Sequence, residues 1–219
     1  HGFHKVLWDA KPLSDGNCVQ FSCVSPDGEN GFPGTLQMSV TYSLTLDMGI
    51  QITYDGVSDK KTVLNPTNHS YFNLGGHDAG SIQDEKMTSY ADGFAEIVPG
   101  AITTGRILPV EGTPMDFRRA KRIGDEIGAD DEQLTIVQGY DHNWALNTTF
   151  GKVEKIAQVE DEKAGRTMEV WSDLPGVQFY AGNCITPQTG KGGAHYDKRG
   201  ARCLETQYFP ASVNRPEFL

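Results

Sequence analysis

His69 stands in a run of hydrogen-bonding side chains, Asn65-Pro66-Thr67-Asn68-His69-Ser70-Tyr71-Phe72-Asn73-Leu74, which closes on Gly75-Gly76. Polar groups taken out of water destabilise a fold unless they are paired. Such density fits a pocket whose occupant is itself rich in donors and acceptors, as a sugar is. Imidazole titrates near neutral pH, so His69 adds proton transfer to binding. A lone histidine reads first as a satisfied core residue, but its polar companions here favour a functional one.

Three further side chains are candidates. Glu205 lies in Cys203-Leu204-Glu205-Thr206-Gln207-Tyr208-Phe209-Pro210. A buried face would raise its pKa towards that of a useful base. An exposed face would leave a strand residue paired with water, and the local sequence leaves both open. Asp141, in Gly139-Tyr140-Asp141-His142-Asn143-Trp144, is either a turn aspartate or a carboxylate that accepts hydrogen bonds from substrate hydroxyls. His142 would point to the opposite face of a strand, as a spectator. Gln178 alternates with Val177 and Phe179 and so points away from them, to bind a hydroxyl or to face solvent.

Other chemistries find less support. His4, His77 and His195 show no ligand spacing, and Thr67 to Gly76 offers a single metal-binding side chain, so no metal site is expected. There is no phosphate-cradling glycine loop opening a helix and no Gly-x-Ser-x-Gly elbow. A formal charge of −10 argues against nucleic acid or an anionic membrane as partner. No apolar run approaches the roughly 18 residues of a membrane helix. That leaves a small molecule as the expected partner, with oligomeric state open. Cys18, Cys23, Cys184 and Cys203 form no Cys-x-x-Cys pair and read as free thiols of a reducing compartment, the cytoplasm.

The elements that must position these residues are mostly strands. Leu36, Met38, Val40, Tyr42, Leu44 and Leu46 alternate strictly with polar residues, the period of a half-buried strand. Asp47-Met48-Gly49 reads as a tight turn, and Ile50 to Tyr54 returns as the second arm of a hairpin. A second hairpin is expected from Ala157–Glu160 and Thr167–Trp171, turning over Asp161–Arg166. Val177–Ala181 and Arg202–Gln207 read as further strands. The one helix candidate is short and charged, Arg118 to Ile127. The 25 glycines and 11 prolines are spread evenly, as many turns between short strands require. The expected architecture is all-β, a single domain of two or more large antiparallel sheets.

Together the motifs identify a resemblance. Thr67-Asn68-His69-Ser70-Tyr71-Phe72-Asn73-Leu74 resembles the signature of the aldose 1-epimerases, also called galactose mutarotases. Further similar blocks follow in the family's order: Gly112 to Arg118, Tyr140 to Asn143, Pro175 to Asn183, Leu204 to Gln207 and Asn214 to Phe218. Gly2-Phe3-His4-Lys5-Val6-Leu7-Trp8 is also similar to a family segment. The blocks cover essentially the whole chain. The resemblance implies a large twisted antiparallel β-sandwich without a metal or organic cofactor. Carried over by position, it makes His69 the general acid, Glu205 the general base, and Asp141 and Gln178 sugar-binding residues.

Members of that family carry an Asn-Arg pair and a second histidine, in a His-Gly-Gly motif, before the Gly-Phe-x-Lys segment. The chain begins at that segment, and His1 does not take that histidine's role. The domain is therefore expected to be incomplete at both ends. The activity implied is interconversion of the anomers of a free hexose. Two alternatives are an epimerase of a phosphorylated hexose, with Arg118-Arg119-Lys121-Arg122 over the phosphate, and a sugar-binding module without turnover. A third is a glycosidase using Asp141 and Glu205.

Overall fold

The computed structural model describes residues 2–13, 16–149 and 151–218. His1 lies outside the described residues. The chain groups into two compact units, His1–Pro66 and Thr67–Leu219.

In the first unit, strands β1 (Asp9–Pro12), β2 (Cys18–Ser25), β3 (Leu36–Leu44) and β4 (Ile50–Ser58) form one antiparallel sheet in chain order. The expected hairpin is β3 with β4, Leu36 opposite Ser58 and Leu44 opposite Ile50. The turn is closed by the Thr45 amide on the Gly49 carbonyl at 2.9 Å. Met48 adopts the left-handed conformation there, with φ 65°. The alternation buries Leu36, Met38 and Val40, which pack with Trp8, Tyr42, Tyr54 and Leu64. Leu44 and Leu46 continue the sequence pattern but are exposed, because they flank the turn, past the last buried position.

The second unit holds the remaining elements: β5 (Lys86–Ser89), β6 (Ala91–Val98), β7 (Ile102–Pro109), β8 (Lys121–Arg122), helix α1 (Glu132–Val137) and β9 (Asp141–Leu146). They continue with β10 (Glu154–Asp161), β11 (Arg166–Ser172), β12 (Gly176–Tyr180), β13 (Gln188–Thr189), β14 (His195–Tyr196) and β15 (Cys203–Gln207). One sheet runs β11-β10-β5-β8, another β15-β12-β9-β6-β7, and β13 pairs with β14 as a ribbon. All pairings are antiparallel. Met87, Ala157 and Val159 from the four-stranded sheet share one buried cluster with Phe94, Trp144, Val177, Phe179 and Leu204 from the five-stranded one. This is a β-sandwich core, filled from the inward faces of two sheets. Its largest member, Trp144, is fully buried, and its indole N–H donates to the Met115 carbonyl at 3.1 Å.

The second hairpin forms as expected, with β10 and β11 in register from Ala157–Val170 to Asp161–Arg166. The helix expectation at Arg118 to Ile127 is wrong. Lys121 and Arg122 form a strand against Met87 and Lys86. The flanking amides of Ile123 and Gly124 donate to Glu85 and Gln83 carbonyls at 2.9 and 2.8 Å. Backbone donors that a helix would use internally are given to the segment that leads into β5. The helix lies later, at α1, where the Asp131 carboxylate accepts from the amides of Gln133 and Leu134 as an N-cap.

Candidate active site

Three neighbouring strands of the five-stranded sheet build the site. Gln178 lies opposite Glu205 on one side and Asn143 on the other. Tyr180 lies opposite Cys203 and Asp141. Side chains two residues apart in a strand share a face. Asp141, Asn143, Gln178, Tyr180, Cys203 and Glu205 therefore stand on one face. The intervening His142, Trp144, Val177, Phe179 and Leu204 stand on the other and enter the core or line its edge. The antiparallel register thus gathers Asp141, Gln178 and Glu205, which lie 37 and 27 positions apart in sequence.

Within that face the Gln178 side-chain amide donates to Asp141 Oδ1 at 2.7 Å. The Gln207 amide, one step further along β15, donates to Asn143 Oδ1 at 3.2 Å. Asn143, Tyr180, Cys203 and Gln207 were not among the candidates read from sequence. Each is two residues from one that was, on the same strand, so a period-two count from Asp141, Gln178 and Glu205 would have found them.

His69 comes from a segment without regular structure that is tied to the start of β15. Phe72 and Arg202 exchange backbone hydrogen bonds, Phe72 N–H to Arg202 O at 2.8 Å and the return at 3.0 Å. The Asn73 amide bridges the carbonyls of Gly80 and Gly200, both at 2.9 Å. Beneath them the Arg202 guanidinium forms a buried ion pair with Glu85, whose other oxygen accepts the Leu74 amide at 2.8 Å. Asn68 Oδ1 accepts the Ser70 amide at 3.1 Å. Part of the polar density that marks this stretch in the sequence therefore shapes the loop.

So held, His69 Nε2 lies 3.6 Å from Glu205 Oε1, and Nδ1 lies 3.3 Å from Cys203 Sγ. The Tyr71 and Tyr180 rings flank the imidazole at 5.1 and 6.0 Å. The histidine side chain is 51% exposed and the glutamate 11%, so the pair is open to solvent from the histidine side.

Burial raises the Glu205 carboxyl, the nearby His69 opposes this, and the Asp141 charge adds to it. Burial likewise raises Asp141, held back by the hydrogen bond from Gln178. The Cys203 thiol is pushed up to about 12 by burial and by the Glu205 and Asp141 charges. The result is a carboxylate whose basicity is increased by burial, beside an imidazole that reaches solvent. His142 behaves differently. Burial holds it neutral, with its pKa lowered to about 4. Its Nδ1 faces the Asp141 amide at 3.3 Å, on the face away from the site.

Two cations of the basic run are already paired with carboxylates. Arg118 is bonded to Asp116 at 2.7 Å and lies 3.7 Å from both Asp92 and Glu111. Lys121 pairs with Glu126.

The chain is similar to known proteins over nearly its whole length. The family model described as Aldose 1-epimerase matches residues 1–219. The galactose mutarotase of Mus musculus is 44% identical over 219 residues, and that of Sus scrofa 42%. The aldose 1-epimerase of Escherichia coli (strain K12) is 36% identical over 217 residues. Each alignment takes in 99% of this chain, which spans 61–62% of the length of these relatives. The crystal structure of galactose 1-epimerase from Lactobacillus acidophilus superposes with a TM-score of 0.82 at 30% identity, over 93% of this chain and 58% of that one. An aldose epimerase homologue from C. elegans gives 0.84 at 26% identity, over 97% and 62%.

Proposed function

The chain belongs to the aldose 1-epimerase family, and from that premise we propose that it interconverts the α and β anomers of a free hexose, glucose or galactose. One observation carries the reading: the imidazole of His69 lies 3.6 Å from the Glu205 carboxylate on a polar sheet face. The anomeric hydroxyl and the ring oxygen of an aldose hang from the same carbon. A base for one and an acid for the other must therefore be neighbours. A sugar entering between them pushes the half-exposed imidazole outward.

Glu205 takes the proton of the anomeric hydroxyl while protonated His69 gives one to the ring oxygen. The C1–ring oxygen bond breaks and the aldehyde forms. Rotation about C1–C2 presents the other carbonyl face. The ring hydroxyl then adds to C1, returning its proton to His69, and the new anomeric oxygen takes the proton from Glu205. Atoms and charges balance, and both groups are restored. Burial favours the step, since a carboxylate of raised pKa is the stronger base. Asp141 and Gln178 hold the sugar hydroxyls so that C1 stays between the pair.

A phosphorylated hexose would need unengaged cations over its phosphate, whereas Arg118 and Lys121, two of the four residues of the basic run, already have carboxylate partners. Cys18, Cys23, Cys184 and Cys203 are free thiols, which suits a reducing compartment such as the cytoplasm. Among the described residues, no helix is long and apolar enough to cross a membrane. The test is polarimetry on a pure anomer of galactose, beside an assay for reducing sugar released from a galactoside. The proposal expects accelerated mutarotation without glycoside cleavage. Cleavage without mutarotation would replace it with a glycosidase, and tight sugar binding with neither would replace it with a binding module.

A further inference from the structure

We infer that His69, Cys203 and Glu205 form an inhibitory site for a thiophilic divalent cation of the zinc class, which competes with the sugar. The inference deepens the epimerase reading and rests on it for the inhibition, though not for the binding. One nitrogen, one sulfur and one carboxylate oxygen of these residues lie within 4.8 Å of one another. A mixed N, S, O set selects a borderline-soft ion; magnesium and calcium take oxygen donors instead.

The distances suit such an ion. Bonds of about 2.0–2.3 Å in a tetrahedral site place donors roughly 3.2–3.8 Å apart. His69 Nδ1 to Cys203 Sγ is 3.3 Å, and His69 Nε2 to Glu205 Oε1 is 3.6 Å. These distances are to different ring nitrogens and only one of them can bind the ion, so the imidazole must turn to bring that nitrogen to both partners. His69 is half exposed and lies outside any strand, which gives it that freedom. Cys203 and Glu205 are fixed on β15. Three protein donors leave a fourth position for water, as open zinc sites do.

Binding exchanges one proton. The Cys203 S–H bond breaks, the sulfur–metal bond forms, and the proton leaves to solvent. The bound ion takes the Glu205 oxygen and the His69 nitrogen that the sugar needs, so cation and sugar exclude each other.

The test titrates the metal-free protein with cadmium chloride and follows the ultraviolet band of cadmium–thiolate charge transfer. One equivalent per chain is expected to produce the band, and saturating galactose to suppress it. The C18S/C23S/C184S variant leaves Cys203 as the sole cysteine and should keep the band. C203S, or C203A if the serine variant does not fold, should lose it. Loss of a direct donor should weaken cadmium binding by more than the roughly 10–100-fold that removing an outer-shell partner costs. Mutarotation should fall in step with the band in the protein and not in C203S, each against its own metal-free rate. Absence of the band from folded C18S/C23S/C184S, or its survival in C203S, overturns the cation site. If metal-free protein shows no mutarotation while the Cys203-dependent band forms, the epimerase reading fails and the cation site stands.

Discussion

The Arg202–Glu85 pair gives a sharp prediction, because it fixes the segment that carries His69. Arg202 is fully buried and Glu85 nearly so. Burial lowers Arg202 to about 10 despite the Glu85 charge, and it raises Glu85 despite Arg202. Burial therefore outweighs the mutual attraction at both ends. Arg202 Nε and Nη2 also have no hydrogen-bond partner among the described residues. Such a pair contributes little net stability, yet breaking it leaves one charge uncompensated. The Arg202→Met variant should lose about 3–5 kcal/mol, a large part of the ~5–15 kcal/mol that holds a typical domain. Glu85→Gln/Arg202→Met should lose only about 1–2 kcal/mol, because the amide still accepts from Leu74 N and no buried charge remains. Urea unfolding at pH 7 of wild type, both single variants and the double variant measures the coupling. The sign with pH is also fixed. In Arg202→Met the folded-state pKa of Glu85 lies above its unfolded value, so the folded state binds more protons. The deficit should therefore be full at pH 7 and shrink as pH falls towards the ordinary carboxylate range. An Arg202→Met protein within about 1 kcal/mol of wild type, or additive losses in the double variant, would refute the reasoning.

Other predictions concern the site and the core. His69→Asn should lower the mutarotation rate by about 10²–10⁴-fold, and adding Glu205→Gln should cost little more, since the two act as a unit; steady-state polarimetry of the single and double variants checks this. Gln178→Ala should raise KM for galactose about five- to tenfold with a smaller effect on kcat, from roughly 1–1.4 kcal/mol for one hydrogen bond. His142 has its pKa lowered from 6.5 to about 4 by burial, so its contribution is full above pH 6.5 and is lost as pH falls towards 4. At ~1.36 kcal/mol per pH unit this is roughly 3 kcal/mol, and acid-unfolding curves of His142→Gln should lack that slope between the two values. Phe179→Ala should cost about 3–5 kcal/mol in denaturant unfolding, since Phe179 is fully buried against Phe117, Tyr140 and Trp144.

Period-two alternation made the strands legible. Leu36, Met38 and Val40 announce β3, and Val177 with Phe179 announces β12, because one face of each must be apolar. The same alternation pointed Gln178 away from the core. The four site residues were found partly by residue type and partly by family resemblance. Alternation along one strand carries no information about which strands become neighbours. The antiparallel register that puts Gln178 opposite Glu205 is a long-range pairing, and it decides that the Asp141, Gln178 and Glu205 faces lie side by side. The misassigned helix at Arg118 to Ile127 has the same origin. Its charged composition is compatible with a helix, but the nearby chain at Gln83–Met87 offers partners that composition cannot reveal. The exposure of Leu44 and Leu46 was hidden because an apolar pattern does not state where its cover ends. The buried Glu85 was invisible too, since its partner Arg202 lies 117 residues away.

The most direct test of the central claim is the initial rate of optical rotation change after pure α-D-galactose is added to Glu205→Gln and to the unsubstituted protein. Galactose affinity is measured in parallel by calorimetry. The amide keeps the size of the side chain but cannot accept the anomeric proton. The account predicts a rate lower by about 10²–10⁴-fold, with galactose affinity within a few-fold of the unsubstituted protein. A Glu205→Gln protein that equilibrates the anomers at near the unsubstituted rate would contradict it.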